Sequence, residues 1–173
     1  MPNVKNAVLA NNKKVINASS NSNAGTSARA DDCNCRIKSS CPLDGKCQQS
    51  GVVYQAKVTR LDNNSSETYV GLTENSFKIR YRNHTASFRN KVARNSTELS
   101  KHVWSLKERG LSFNISWPIL SHTRPYNSAS KRCNLCLSEK FFIICKPHYC
   151  TLNKRNELVS SCRHRAKALQ RYN

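Results

Sequence analysis

The sequence predicts a small α+β domain with a three-stranded antiparallel sheet flanked by helices, preceded by a cysteine-rich segment and a disordered basic tail. Three observations carry this. Apolar and β-branched residues alternate in GVVYQAKVTRL (51–61) and again in TYVGL (68–72), with the turn chemistry of DNNSSE between them, so the two runs form an antiparallel hairpin. Beyond the hairpin the periodicity changes from two to 3.6, and Phe77, Tyr81, His84 and Phe88 mark one face of a helix. Ahead of both, residues 1–31 are rich in Asn, Ser, Ala and Lys with hardly any large apolar side chain, too little to offset chain entropy.

The remaining elements follow in order. Asn95-Ser-Thr-Glu98 reads as an N-cap with an acidic third position, opening a second helix packed by Leu99, Val103 and Leu106 and ended at Gly110. LSFNISWPIL (111–120) alternates Phe113, Ile115 and Trp117 as the third strand. NSASKRCNLCLSEKFFIICKP (127–147) is predicted as a strongly apolar helix stopped by Pro147, and 157–171 as a shorter basic helix. The chain thus divides into a tail (1–31), a cysteine cluster (32–48) and one domain (49–173).

Charge narrows the function. With 29 Lys and Arg against 10 Asp and Glu, the formal net charge of +19 is the footprint of a polyanionic partner, DNA above all. No apolar run approaches the roughly 18 residues of a spanning helix, so a membrane is not expected. Residues 1–30 lack the apolar core of a secretory signal, which points to an intracellular, nuclear protein rather than a secreted one. In a reducing compartment the nine cysteines are expected to hold metal rather than pair.

Cys33, Cys35, Cys41 and Cys47 place four thiols within fifteen residues, enough for a closed tetrahedral Zn²⁺ site. Such a module would either add grip on DNA or staple the domain's N-terminus. Cys133 and Cys136 with Cys162 and His164 form a second candidate Zn²⁺ set, against which stands the packing of cysteines as small buried residues. Glu139 lies among Leu135, Cys136, Phe142 and Ile143, where a carboxylate is costly unless it is paired or binds a cation.

The triplets Val52-Val53-Tyr54 and Tyr69-Val70-Gly71, then Arg80 and His84 spaced R-x-x-x-H, Glu139 in an apolar helix and Asn153 after it form an ordered set. This set resembles the signature of the GIY-YIG endonuclease superfamily, with VVY in place of GIY. Over residues 33–168 the chain is most similar to the endonuclease region of Penelope-like eukaryotic retroelements. The resemblance implies a metal-dependent DNA endonuclease that nicks or cuts phosphodiester bonds, with a reverse transcriptase of the same element as a partner. By resemblance, Tyr54 would be the general base or the group that orients the water, its phenol made more acidic by nearby cations, with Tyr69 beside it. Arg80 would hold phosphate oxygens, His84 would hold the Tyr54 hydroxyl or relay its proton, Glu139 would bind one Mg²⁺, and Asn153 would order the site. Gly71 would let the substrate backbone come close. Lys78, Arg82, Arg89 and Lys91 are the candidate DNA-binding cations. The alternative is a noncatalytic zinc-containing nucleic-acid-binding protein with a decayed nuclease fold.

Overall fold

The computed structural model describes residues 33–127, 129–154, 162, 164 and 165. The predicted tail and most of the basic helix at 157–171 lie outside the described residues.

The hairpin forms as predicted, with β1 (Val52–Arg60) antiparallel to β2 (Ser66–Thr73) and Tyr54 directly opposite Gly71. The predicted third strand is broken in two. β3 (Phe113–Ser116) pairs with the far half of β1, and β4 (Ile119–His122) pairs with its first residues on the same side. The break falls at Trp117 and Pro118, because proline has no N–H to give the ladder and the register shifts there between Val53 and Tyr54. The Pro118 carbonyl still accepts from the Gln55 N–H at 2.9 Å. The sheet is therefore three strand positions wide, with four strands filling them.

Two helices pack on one face. α1 (Phe77–Ser87) and α2 (Glu98–Glu108) bury Phe77, Leu99, Val103 and Leu106 against Val52, Tyr54, Ala56 and Val58. The cap of α2 is Thr97 rather than Asn95: its hydroxyl accepts from the Ser100 N–H at 3.0 Å, and Glu98 is the first helical residue. Gly110, at φ +66°, ends the helix as expected, with Gly110 N–H donating to Lys107 O and Leu111 N–H to Leu106 O.

α3 (Asn134–Cys145) covers the other face, where Leu135 and Ile143 meet Val53 and Val70. This helix is shorter than the predicted 127–147. Before it, β5 (Tyr126–Asn127) and β6 (Arg132–Cys133) pair instead as a small antiparallel ribbon, with Lys131 at φ +53°. With helices on both faces, β1 is buried almost along its whole length, which its continuous apolar run reflects.

The outer edge of β2 is covered as well. Leu152 N–H donates to Thr68 O at 2.9 Å, and Thr68 N–H donates to the Thr151 hydroxyl at 2.8 Å. Among the described residues no helix is long and apolar enough to cross a membrane.

Candidate active site and metal centres

Tyr54 points from β1 across its strand partner. A β-carbon on Gly71 would stand 2.5 Å from the Tyr54 hydroxyl, so the glycine seats the tyrosine ring. This replaces the expectation that Gly71 makes room for substrate: the space is already filled by Tyr54 and flanked by Tyr69.

The hydroxyl of Tyr54 meets two residues one helical turn apart on α1. It lies 2.7 Å from His84 Nε2 and accepts from Arg80 Nε–H at 2.9 Å. Burial holds the His84 imidazole down at about 3, and the Arg80 charge adds to the effect, so His84 is neutral at physiological pH. The neutral imidazole presents Nε2 to the phenol as acceptor or as donor according to its tautomer, and Tyr54 joins Arg80 and His84 in one hydrogen-bonded set. Trp117 closes the same cluster, its ring 5.4 Å from His84 and 6.0 Å from Tyr54. The alternation of Phe113, Ile115 and Trp117 indicated an inward side chain, but nothing in the spacing linked Trp117 to this site.

The acidity of Tyr54 runs opposite to the expectation. Complete burial outweighs the nearby Arg80 and pushes the phenol up to about 12, and the charge of Glu139 adds to the rise. Arg80 is disfavoured by its own burial, yet Tyr54, Tyr69 and Glu139 together raise its pKa. Glu139 projects from α3, on the opposite face of the sheet from α1, and its field acts on both Tyr54 and Arg80. The structure thus brings Tyr54, Tyr69, Arg80, His84 and Glu139 into one electrostatic neighbourhood. Arg80 and Glu139 keep partial solvent exposure, whereas Tyr54 has none.

Asn153 holds the strand behind this group. Its amide accepts from Val70 N–H at 2.7 Å and donates to Val70 O at 2.9 Å, pinning β2 between Tyr69 and Gly71. A pocket of about 350 Å³ opens beside the group, lined by Arg80, Asn83, His84, Asn90, Ala93 and Ser96, among others.

Of the candidate DNA-binding cations, Arg82, Arg89 and Lys91 are exposed. Lys78 donates to the carbonyl and side-chain oxygens of Asn34. It thereby ties α1 to the cysteine segment.

That segment could hold zinc. The ligand atoms of Cys33, Cys35, Cys41 and Cys47 all lie within 4.8 Å of one another, with sulfur separations of 3.6 Å for Cys33–Cys41, Cys35–Cys47 and Cys33–Cys47. A tetrahedral site with Zn–S of ~2.3 Å needs ligand edges of about 3.8 Å, so the thiols stand near ligand spacing and far from the ~2.05 Å of a disulfide. Burial opposes ionisation of Cys41, but backbone groups of Leu43 and Gly45 with the Cys33 and Cys47 thiols draw it to about 7. Burial and neighbouring thiols push Cys47 up to about 12. A set that readily yields one thiolate and resists the next suits a cation that removes the remaining protons. The segment also caps α1: Phe77 N–H donates to Gln49 O and Lys78 N–H to Cys47 O, each at 2.8 Å. Of the two roles expected for this module, the contacts it makes are those of a staple.

The second quartet has the same character. His164 Nδ1 lies 3.4 Å from Cys133 Sγ, 3.2 Å from Cys136 Sγ and 3.6 Å from Cys162 Sγ, and Cys136 and Cys162 are 3.4 Å apart. Hydrogen bonding with Cys136 draws Cys133 down to about 5 and raises Cys136. His164 turns its other nitrogen toward Glu74, with Nε2 3.6 Å from Oε2, which places a carboxylate behind the histidine on the side away from the sulfurs. Glu74 carried no sequence signal, since it sits in the loop between β2 and α1. Cys150 belongs to neither quartet; it is buried, with its sulfur facing the carbonyls of Phe142 and Ile143.

Comparison of the chain with protein-family models, curated proteins and solved structures finds no match in any of the three. The α+β fold and the two possible zinc centres therefore rest on the molecule's own geometry.

Proposed function

We propose that this protein is a divalent-metal-dependent DNA endonuclease of the GIY-YIG type, derived from a retroelement of the Penelope-like kind. One observation carries the reading: the Arg80–Tyr54–His84 hydrogen-bond chain, held in the field of Glu139. An arginine, a phenol and a neutral imidazole in hydrogen-bond contact, with a carboxylate close enough for its charge to act on them, are the kinds of group that phosphodiester hydrolysis needs.

Each residue has a part that its position supports. Arg80 gives its Nε–H to Tyr54, and its η nitrogens carry further N–H donors suited to phosphate oxygens. Tyr54 Oη takes a proton from a water held beside the phosphate as its own proton passes to His84 Nε2. The low basicity of His84 opposes this transfer in the free protein. Tyr54 is shut from bulk solvent, whereas Arg80 and Glu139 are partly exposed. Asn153 keeps β2, and with it Tyr69 and Gly71, in register.

Glu139 is the residue that would hold a Mg²⁺ ion, a hard cation content with one carboxylate plus waters and substrate oxygens. Such an ion supplies charge neutralisation at the phosphate. Its arrival would also cancel the Glu139 charge that raises Tyr54. DNA is the partner that the charge of +19 favours, with Arg82, Arg89 and Lys91 on phosphates. A nuclear site of action and a reverse transcriptase of the same element belong to this reading.

A second reading is favoured by the complete burial and weak acidity of Tyr54. On that reading the chain binds nucleic acid through its zinc-stapled scaffold without cutting it. One assay separates the two: supercoiled plasmid with Mg²⁺ and purified protein, beside Glu139→Ala and Tyr54→Phe. The endonuclease nicks as wild type and loses activity in both variants; wild-type nicking no greater than that of Glu139→Ala, with DNA binding retained, selects the second reading.

A further inference from the structure

Between α1 and α2 the chain makes a 3-10 turn, Lys91–Ala93, at whose centre Val92 is 93 % exposed. Among the described residues it is the most exposed large apolar side chain. A single exposed apolar residue is ordinary on a protein surface. Three features set this one apart.

The turn is held in shape rather than left loose. The Asn90 side chain accepts from Val92 N–H at 3.0 Å, and the N–H groups of Ala93, Arg94 and Ser96 donate back to Asn90, Lys91 and Ala93 at 3.0, 3.1 and 3.0 Å. Its base is anchored to α2, where Trp104 Nε1–H donates to Ser87 O at 2.9 Å and Arg94 pairs with Glu108 at 3.1 Å. Val92 is thus presented outward on a fixed support.

Cations surround it. Arg89 and Lys91, on either side of Asn90, are exposed, and Arg94 beyond them is paired with Glu108. The turn also adjoins the candidate active site. Asn90 and Ala93, which flank the tip, line the same pocket as Arg80 and His84.

We propose that this turn enters the minor groove of duplex DNA, with Val92 as a wedge at a base step and Arg89 and Lys91 on the flanking phosphates. An apolar tip between cations is the device by which minor-groove proteins unstack and kink a duplex. A narrow turn fits a groove about 6 Å wide that a helix does not. Distortion at Val92 would displace the backbone beside it, and the pocket running to Arg80 lies there to receive it. The proposal deepens the endonuclease reading and rests on its DNA partner, but not on cleavage.

The test uses the full chain with its zinc but without Mg²⁺, and a duplex carrying 2-aminopurine, whose fluorescence rises on unstacking. Wild type is expected to bind and raise the signal. Val92→Ala, which removes no packed contact, is expected to bind up to about tenfold more weakly with the rise abolished. Lys91→Ala and Arg89→Ala are each expected to lower the salt dependence of binding by about one unit of slope. Unstacking by Val92→Ala equal to wild type overturns the wedge, and plasmid nicking by the same variant with Mg²⁺ then shows whether the endonuclease reading stands alone. Failure of wild type to bind duplex DNA overturns both.

Discussion

Gly71 lies opposite Tyr54 across the β1–β2 ladder, and the missing β-carbon is what lets the Tyr54 ring occupy its place. The hydroxyl that meets Arg80 and His84 therefore depends on a backbone position in the neighbouring strand.

Replacing Gly71 by Ala puts a carbon 2.5 Å from Tyr54 Oη, 2.7 Å from Cζ and 3.1 Å from Tyr69 Cε1. A crowded core of this kind costs about 1–3 kcal/mol, read as a lower urea midpoint. Tyr54→Phe in the same background removes the nearest atom and recovers part of the loss. An unchanged midpoint in Gly71→Ala would show that the ring is not held there.

Tyr54→Phe alone leaves Arg80 Nε and His84 Nε2 without the hydroxyl they share. Two polar groups in a buried setting lose a partner, at a cost of about 1–3 kcal/mol. The expected fall in nicking is about 100-fold or more, measured on supercoiled plasmid. Nicking at the wild-type rate would remove Tyr54 from the chemistry.

His84 gives a pH signature. Its folded-state pKa, about 3, lies below the ordinary 6.5, so on acidification the unfolded chain takes up a proton that the folded chain refuses. Stability unaffected by this residue above pH 6.5 is lost as the pH falls toward 3, by up to about 1.4 kcal/mol per unit. Denaturant melts at several pH values should show a smaller acid loss in His84→Gln than in wild type. Parallel losses would contradict the depressed pKa.

Metal content tests the two possible zinc centres. Cys33→Ser with Cys47→Ser should lose one bound ion and lower the melting temperature, because the carbonyls of Cys47 and Gln49 cap α1. Glu74→Gln should keep the second ion but release it to a chelator at roughly 10-fold lower concentration, as expected when the carboxylate behind a ligating histidine is lost. Equal zinc content in wild type and the double serine variant would rule out the first site.

Much of the fold was legible in local pattern. The hairpin, α1, α2 and its glycine stop follow from period and punctuation, which act over a few residues. The miscounts arose where local signals compete. Pro118 broke an otherwise regular strand, Thr97 displaced Asn95 as cap, and the polar residues before Asn134 formed a ribbon although the apolar run behind them read as one helix. At the site, Arg80 and His84 were paired by helical spacing, but the partners Trp117, Gly71 and Glu74 come from other elements and had no local mark.

By itself the sequence determined the charge, the β1–β2 hairpin with the two helices that follow it, the cluster of Cys33, Cys35, Cys41 and Cys47 and the α1 face that carries Arg80 and His84, because each is set by composition or by spacing over a short stretch. The tertiary structure decided what those groups experience. It buried Tyr54 until desolvation outweighed Arg80, tied Lys78 to Asn34, and set Glu139 from the far face of the sheet to act on the same phenol. Such effects depend on distance and dielectric between residues remote in the chain, and only the packed molecule sets either one.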